Sequence, residues 1–256
     1  MARSSLYQQV AAEVRRAIYT GALGPGDQIP TETDLMEAHG VSRNTVRLAL
    51  GELENEGLIL RMRRRGTFVR ERRPLLMRPQ DEFRPLDEVH PLNAGEPRFD
   101  SFVHAVTSEG RRADQNIQVS IVEPPEDVAT RLALTDKALA VVRRRLRFVD
   151  GQPYNTYDSY FPLDLVGDSE IARPGDIKRG ANRVLEELGH PQVRVIDDIS
   201  ARMPTPDETL QLQLEPGTPV VVYVRVGYDR DDTPVRVAVS VLPADKHLIR
   251  YELERH

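Results

Sequence analysis

A single glycine, Gly40, separates two short segments that each carry their own start signal, and this punctuation constrains the first third of the chain. Thr31, with Asp34 three residues on, has the form of a capping box and predicts a short helix over about 32–38. Gly40 suits the left-handed residue that ends such a helix. Val41 then leads into Ser42, a second N-cap, and Arg43 to about Glu56 carry Val46, Leu50 and Leu53 along one face before Gly57 closes the helix. Upstream, Leu6, Val10, Val14 and Ile18 recur at i+4 spacing, with Ala17 beside them, and predict a helix over 5–19. Gly21, Gly24, Pro25 and Gly26 end it, and Ile29-Pro30 makes a short extended link. Downstream, Leu58–Met62 and Thr67–Arg70 are apolar-rich strands around the turn Arg63-Arg64-Arg65-Gly66. Three helices, the last two joined by a tight turn, followed by a basic hairpin, make the layout of a winged helix-turn-helix.

The chain has 256 residues, enough for two domains, with 39% apolar and 29% charged side chains, the balance of a soluble protein. No apolar run is long enough to span a membrane, and MARSSLYQQV lacks a signal peptide's apolar core, so a cytoplasmic protein with no membrane partner is expected. The absence of Cys removes disulfides, thiolate metal sites and Cys nucleophiles. The six His residues are scattered without a helical i,i+4 pair, so neither metal nor cofactor is expected. The net charge of −5 conceals an asymmetry: residues 1–73 hold 12 basic against 9 acidic side chains, the remainder 23 against 31. A basic head on an acidic body suits a DNA reader fused to something else, although so small an excess also fits ordinary fluctuation.

Residues 71–98 change texture. Pro74, Pro79, Pro85, Pro91 and Pro97 arrive about every six residues, which predicts an extended linker over 73–97 between domains at 1–72 and 98–256. Beyond it Val103–Thr107 and Ile117–Val122 read as strands, and Pro124–Leu134 as a helix. Ala138–Val149 and Pro153–Phe161 form a hairpin turned at Asp150-Gly151. Asn182–Leu188 and Pro206–Leu214 read as helices, with a strand at Val193–Ala201 between them. Val220–Tyr228 and Val235–Leu242 flank a second hairpin turn at 230–233. The order indicates an α+β domain on a mostly antiparallel sheet.

Two sets of residues carry chemistry. The helix opening at Ser42 displays Arg43, Asn44, Thr45 and Arg47 on its first turns, the side chains that a helix entering the major groove by its N-terminus needs. Arg pairs with the O6 and N7 of guanine, while Ser42 and the helix N-terminus can hold a phosphate oxygen. Arg61, Arg63, Arg64 and Arg65 around Gly66 could enter a minor groove. A solvated charged helix with a charged hairpin explains the same composition. In the second set, Arg143, Arg145 and Arg147 alternate and so share one strand face. They either line an anion pocket or lie in water beside acidic partners. Tyr157, Ser159 and Tyr160 on the paired strand are their neighbours, with core packing the alternative for the tyrosines.

The segment YQQVAAEVRRAIYTGALGPGDQIPTETDLMEAHGVSRNTVRLALGELENEGLILRMRRRGTFVR resembles the winged helix of GntR-family regulators. It carries G-x-L-x-P-G-D-x-[IL]-P-[ST]-E, V-S-R-x-T-V-R-x-A-L, E-G-L-I and R-G-T-F-V. The resemblance implies that Arg43, Thr45 and Arg47 contact bases, Ser42 the backbone, and Gly66 and Thr67 the minor groove or phosphates. Thr33 stands where some relatives carry a base-reading Arg. The stretch RRRLRFVDGQPYNTYDSYFP resembles the UTRA domain of the HutC subfamily, similar in fold to chorismate lyase: an antiparallel sheet with flanking helices that binds small effectors and dimerises. In such domains positions matching Arg145 and Arg147 approach the effector. Where the subfamily often has a Glu near the end this chain has Val239, and Arg236 on the same strand can supply the missing polar contact.

The expected protein is a homodimeric repressor that reads double-stranded, palindromic operator DNA and is controlled by a small-molecule effector, with an anion the candidate class. A purely dimerising C-terminal domain is the alternative. A lyase-like enzyme is disfavoured, because no nucleophile–base pair or paired-carboxylate site stands at fixed spacing.

Overall fold

The computed structural model describes residues 5–71, 76–78 and 101–250. The chain divides into two compact units, one of Met1–Pro74 with Met203–Pro219, the other of Leu75–Arg202 with Val220–His256.

The first unit contains α1 (Leu6–Tyr19), α2 (Glu32–His39), α3 (Arg43–Asn55), β1 (Ile59–Met62) and β2 (Gly66–Val69). Most of the periodic apolar positions meet: Val10 and Val14 of α1, Leu35 of α2, and Val46, Ala49, Leu50 and Leu53 of α3 close one core with Ile59 and Val69, with Ile18 packed against it, whereas Leu6 at the start of α1 stays 59% exposed. Each of these buried Val, Leu and Ile side chains contributes ~1.5–3 kcal/mol relative to exposure. Both punctuation signals are realised. The Thr31 hydroxyl accepts from Asp34 N at 3.2 Å, and the Asp34 carboxylate accepts from Thr31 N at 2.9 Å. Gly40 ends α2 at φ 61°, and Ser42 caps α3 by accepting from Thr45 N at 3.2 Å. Arg15 on α1 clamps α3 through Glu52 at 2.9 Å and Glu56 at 2.5 Å.

The segment Met203–Pro219, expected within the C-terminal domain, groups with this first unit. Among its residues, Pro206–Gln211 form a short helix capped by Thr205 and Glu208. Arg70 donates to the Thr218 hydroxyl at 2.5 Å and to the Pro216 carbonyl at 3.3 Å, and Thr218 is fully buried. Gly217, at φ 72°, lies so close to the end of α3 that a Cβ there would stand 2.5 Å from the Asn55 carbonyl oxygen.

The second unit is built on a six-stranded antiparallel sheet. Following β3 (Leu76–Arg78), which lies outside it, its strands are β4 (Ala113–Val122), β5 (Ala140–Val149), β6 (Gln152–Pro162), β7 (Arg194–Arg202), β8 (Val220–Tyr228) and β9 (Pro234–Pro243), and their order across the sheet is β4-β5-β6-β9-β8-β7. On one face a helix at Glu126–Arg131 seats Val128 against Val142, Tyr160, Val226 and Val237. On the other, short helices at Leu163–Val166 and Ala181–Glu187 cover Val141, Phe161 and Val235.

Two expectations are corrected here. Val103–Thr107 is not a strand but part of a helix, α4 (Ser101–Ser108). Phe102 and Val106 are spaced i,i+4 and both are buried with Val149, and that shared burial outweighs the strand preference of the valines. Within the expected linker, Leu76–Arg78 form a strand paired in parallel with His247–Ile249. The rest of the 73–97 stretch lies outside the described residues.

Candidate DNA-reading face and ligand site

The capping geometry at Ser42 decides what α3 presents. With Val46, Ala49, Leu50 and Leu53 turned into the core, Arg43, Asn44 and Arg47 are left exposed on the opposite side of the first turns. Thr45 is half-buried, its hydroxyl hydrogen-bonded to Ser42 Oγ at 2.9 Å. Thr33 is exposed in the first turn of α2. At the hairpin tip Arg63, Arg64, Arg65 and Gly66 are exposed, while Thr67 is half-buried.

Three further side chains tie these elements together, and motif reasoning passed over their contacts. Arg61 on β1 donates to the Arg47 carbonyl at 3.2 Å and sits 3.4 Å from Glu54, which fastens the wing to α3. Gln28 packs under the wing, so that a Cβ on Gly66 would stand 2.6 Å from its Nε2. Glu32 places Oε1 3.6 Å from Arg47 Nε and Oε2 3.9 Å from Arg43 Nε. Between wing and α2 lies a concavity of about 460 Å³, lined by Gln28, Thr31, Glu32, Arg63 and Arg64 among others. Only the i→i+3 cap partners were legible from spacing; Gln28, Glu32 and Arg61 act across elements.

In the second unit the sheet register builds a polar surface. Arg145 on β5, Tyr157 on β6, Ser240 on β9 and Tyr223 on β8 stand in one cross-strand row. Residues opposite one another in an antiparallel pair share a face, so this row collects on one side of the sheet. Arg143 and Ser159 form the neighbouring pair, and Arg147 lies two residues from Arg145 on the same side. Arg236 donates to Tyr157 Oη at 2.7 Å, to Ser159 Oγ at 2.9 Å and to Asn182 Oδ1 at 2.8 Å. The Tyr157 ring carries three guanidiniums: Arg147 at 4.4 Å, Arg236 at 5.6 Å and Arg145 at 5.9 Å from its centroid. Phe102 of α4 covers the other side of Arg147 at 4.6 Å.

These guanidiniums differ in what they have left to give. Arg143 is fully buried and donates to the carbonyls of Ile171, Arg173 and Gly175, so its headgroup holds a loop. Arg145 is buried with Nε and Nη1 unpartnered. Burial, and then the charges of Arg147 and Arg236, push its pKa down to about 10. Ser240 is likewise buried with its Oγ unpartnered. Tyr160, expected beside Tyr157 and Ser159, points to the other face and packs with Val142 and Val237, as the period of two requires. Of the expected ligand set, the fold brings together Arg145, Arg147, Tyr157, Ser159 and Arg236, and the sequence reading missed Ser240, Phe102 and Asn182.

Residues 6–69 match the family described as bacterial regulatory proteins, gntR family, and residues 111–247 match the UTRA domain. An uncharacterized HTH-type transcriptional regulator of Streptomyces coelicolor is 33% identical over 97% of this chain and 92% of its own. The chain belongs to the gntR family of bacterial regulatory proteins. Within that family it is 25% identical to the HTH-type transcriptional repressor NagR of Bacillus subtilis, over 98% of this chain and 95% of that one. A GntR-family transcriptional regulator known from its crystal structure shares the fold, with a TM-score of 0.70 at 24% identity over 99% of both chains. The gntR-family chain is thus a DNA-binding transcriptional regulator, and its matched relatives are regulators, not enzymes. Among the described residues no helix is long and apolar enough to cross a membrane.

Proposed function

We propose that this gntR-family regulator is a homodimeric repressor of the HutC type, which reads a palindromic operator through Arg43, Thr45 and Arg47 and is controlled by a small anion bound at Arg145. The observation that carries the effector reading is Arg145 itself: a buried guanidinium with two unpartnered nitrogens, beside two further cations. A buried charge without a counter-charge costs several kcal/mol, and an anionic ligand supplies the missing partner. Arg147 and Arg236 add charge, and Ser240 adds a hydroxyl two strands away, ~10 Å at ordinary strand spacing.

Exposure of Arg43, Asn44 and Arg47 on a well-capped helix supports the DNA reading. Among the described residues β7 is an outer strand of its sheet; it leaves Ile196 42% and Ile199 44% exposed, and Val193 just before it 55% exposed, which supports pairing with a second copy. NagR, named a repressor, supports the sign of regulation. Two heads on one dimer would meet half-sites ~10 base pairs apart or a multiple of that.

The test is operator binding by fluorescence anisotropy, with and without a panel of small anions. At least one anion is expected to shift the affinity for DNA tenfold or more in the wild type and not at all in Arg145→Ala. An effective anion that acts equally on both proteins would remove Arg145 from the effector site.

A further inference from the structure

The reading of Arg43 and Arg47 as base readers leaves one contact unexplained. Glu32, in the first turn of α2, lies against both guanidiniums, at 3.9 Å and 3.6 Å. A carboxylate on a surface that meets a polyanion weakens attraction for every DNA sequence alike. The capping hydrogen bonds of its own helix are made by Thr31 and Asp34, so Glu32, at the first helical position, adds only the favourable charge of any acid there. Its separation from the arginines is longer than a hydrogen bond, so it orients both side chains without locking either.

We infer that Glu32 is a positioning residue that sets the sequence discrimination of Arg43 and Arg47. The inference rests on those two arginines entering the major groove. Arg43 and Arg47 are one turn apart on α3, where like charges repel, and a carboxylate between them holds both in one arrangement. The same carboxylate repels a phosphate that approaches either guanidinium. A guanine edge carries no net charge and engages a guanidinium through two parallel bonds. Glu32 therefore penalises arginine–phosphate docking more than arginine–guanine docking. Discrimination rises at the expense of raw affinity, a repulsive element built in against the wrong partner.

The experiment uses the full chain. A duplex selected by the wild type from a random pool, and a scrambled duplex of equal composition, are titrated against wild type, Glu32→Gln and Arg47→Ala over a range of salt. In Glu32→Gln the scrambled duplex is expected to bind about three- to tenfold more tightly, with a salt slope steeper by about one. The ratio of selected to scrambled affinity is expected to fall at least fivefold, and reselection with this variant to relax at guanine positions. A thermal midpoint matching that of the wild type identifies these changes as effects on reading rather than folding.

If Glu32→Gln leaves the ratio and the selected sequence unchanged while Arg47→Ala destroys the ratio, Glu32 has no such role and the base-reading assignment stands. If Arg47→Ala also binds both duplexes as the wild type does, the assignment of α3 as the reading helix fails, and the role of Glu32 with it.

Discussion

Arg145 and Ser240 stand in register on either side of Tyr157, and each buries a polar atom without a hydrogen-bond partner. One is a cation and the other a hydroxyl, so the free protein leaves two different groups unsatisfied on one sheet face. Replacing Arg145 by Met keeps the length and removes the buried charge. The ligand-free protein is expected to melt a few degrees higher, a gain of about 1–3 kcal/mol. Any anion that raises the wild-type midpoint should leave this variant unmoved, which differential scanning fluorimetry would register.

Asp158 gives the second unit a predictable acid–base signature. It faces Arg144 at 3.5 Å, and burial pushes its pKa up to about 6, only partly offset by the charges of Arg144 and then Arg145. An acid whose folded pKa is raised binds its proton more tightly in the folded state. Its contribution to stability is therefore lost as pH rises from about 4 through about 6 and stays lost above that. Asp158→Asn should flatten this slope and stabilise the protein by about 1–2 kcal/mol at pH 8, with no difference at pH 4. Denaturant melts at several pH values would show it.

The wing depends on Gly66 for two separable reasons. Its φ of 117° is unfavourable for any side chain, and Gln28 Nε2 fills the space where a Cβ would stand. Gly66→Ala is expected to cost about 1–3 kcal/mol of stability and to weaken DNA binding. Adding Gln28→Ala should recover only the steric part, leaving the backbone strain. Full recovery would mean that the strain is negligible.

Gly217 is the more severe case, because the atoms it would strike are backbone: the Asn55 carbonyl oxygen and Gly57 N, both 2.5 Å from a Cβ. Gly217→Ala should release Thr218 and Pro216 from Arg70 and expose Thr218, now fully buried. Proteolysis within residues 203–219 should accelerate at least tenfold, while α1–α3 keep their helical signal.

How much of this was legible beforehand follows the range of the interactions. The caps at Thr31 and Ser42 and the turn at Gly40 are local, fixed within three residues, and the first unit followed from them. Alternation placed Arg143, Arg145 and Arg147 on one face, but the same pattern could not say that Arg143 would meet three carbonyls of another segment. Tyr160 lies three residues from Tyr157, so the period of two sends it to the opposite face with Val142, and neighbouring sequence position is no guide to a shared site on a strand. Helix α4 was misread because valines favour strands, and only the tertiary partner Val149 makes the i,i+4 pair decisive. Ser240 and Asn182 lie 83 and 25 residues beyond Tyr157, brought to the site by strand pairing and by a helix whose Asn182 accepts from Arg236, and no local pattern announces either.

The crowding of guanidiniums around Tyr157 makes sensitivity to a signal easy to lose. A single acidic substitution at Ser159, whose oxygen already meets Arg236 at 2.9 Å, would supply a resident counter-charge. Such a chain would carry its own neutralising charge, and a small anion would bind it more weakly than it binds the wild type.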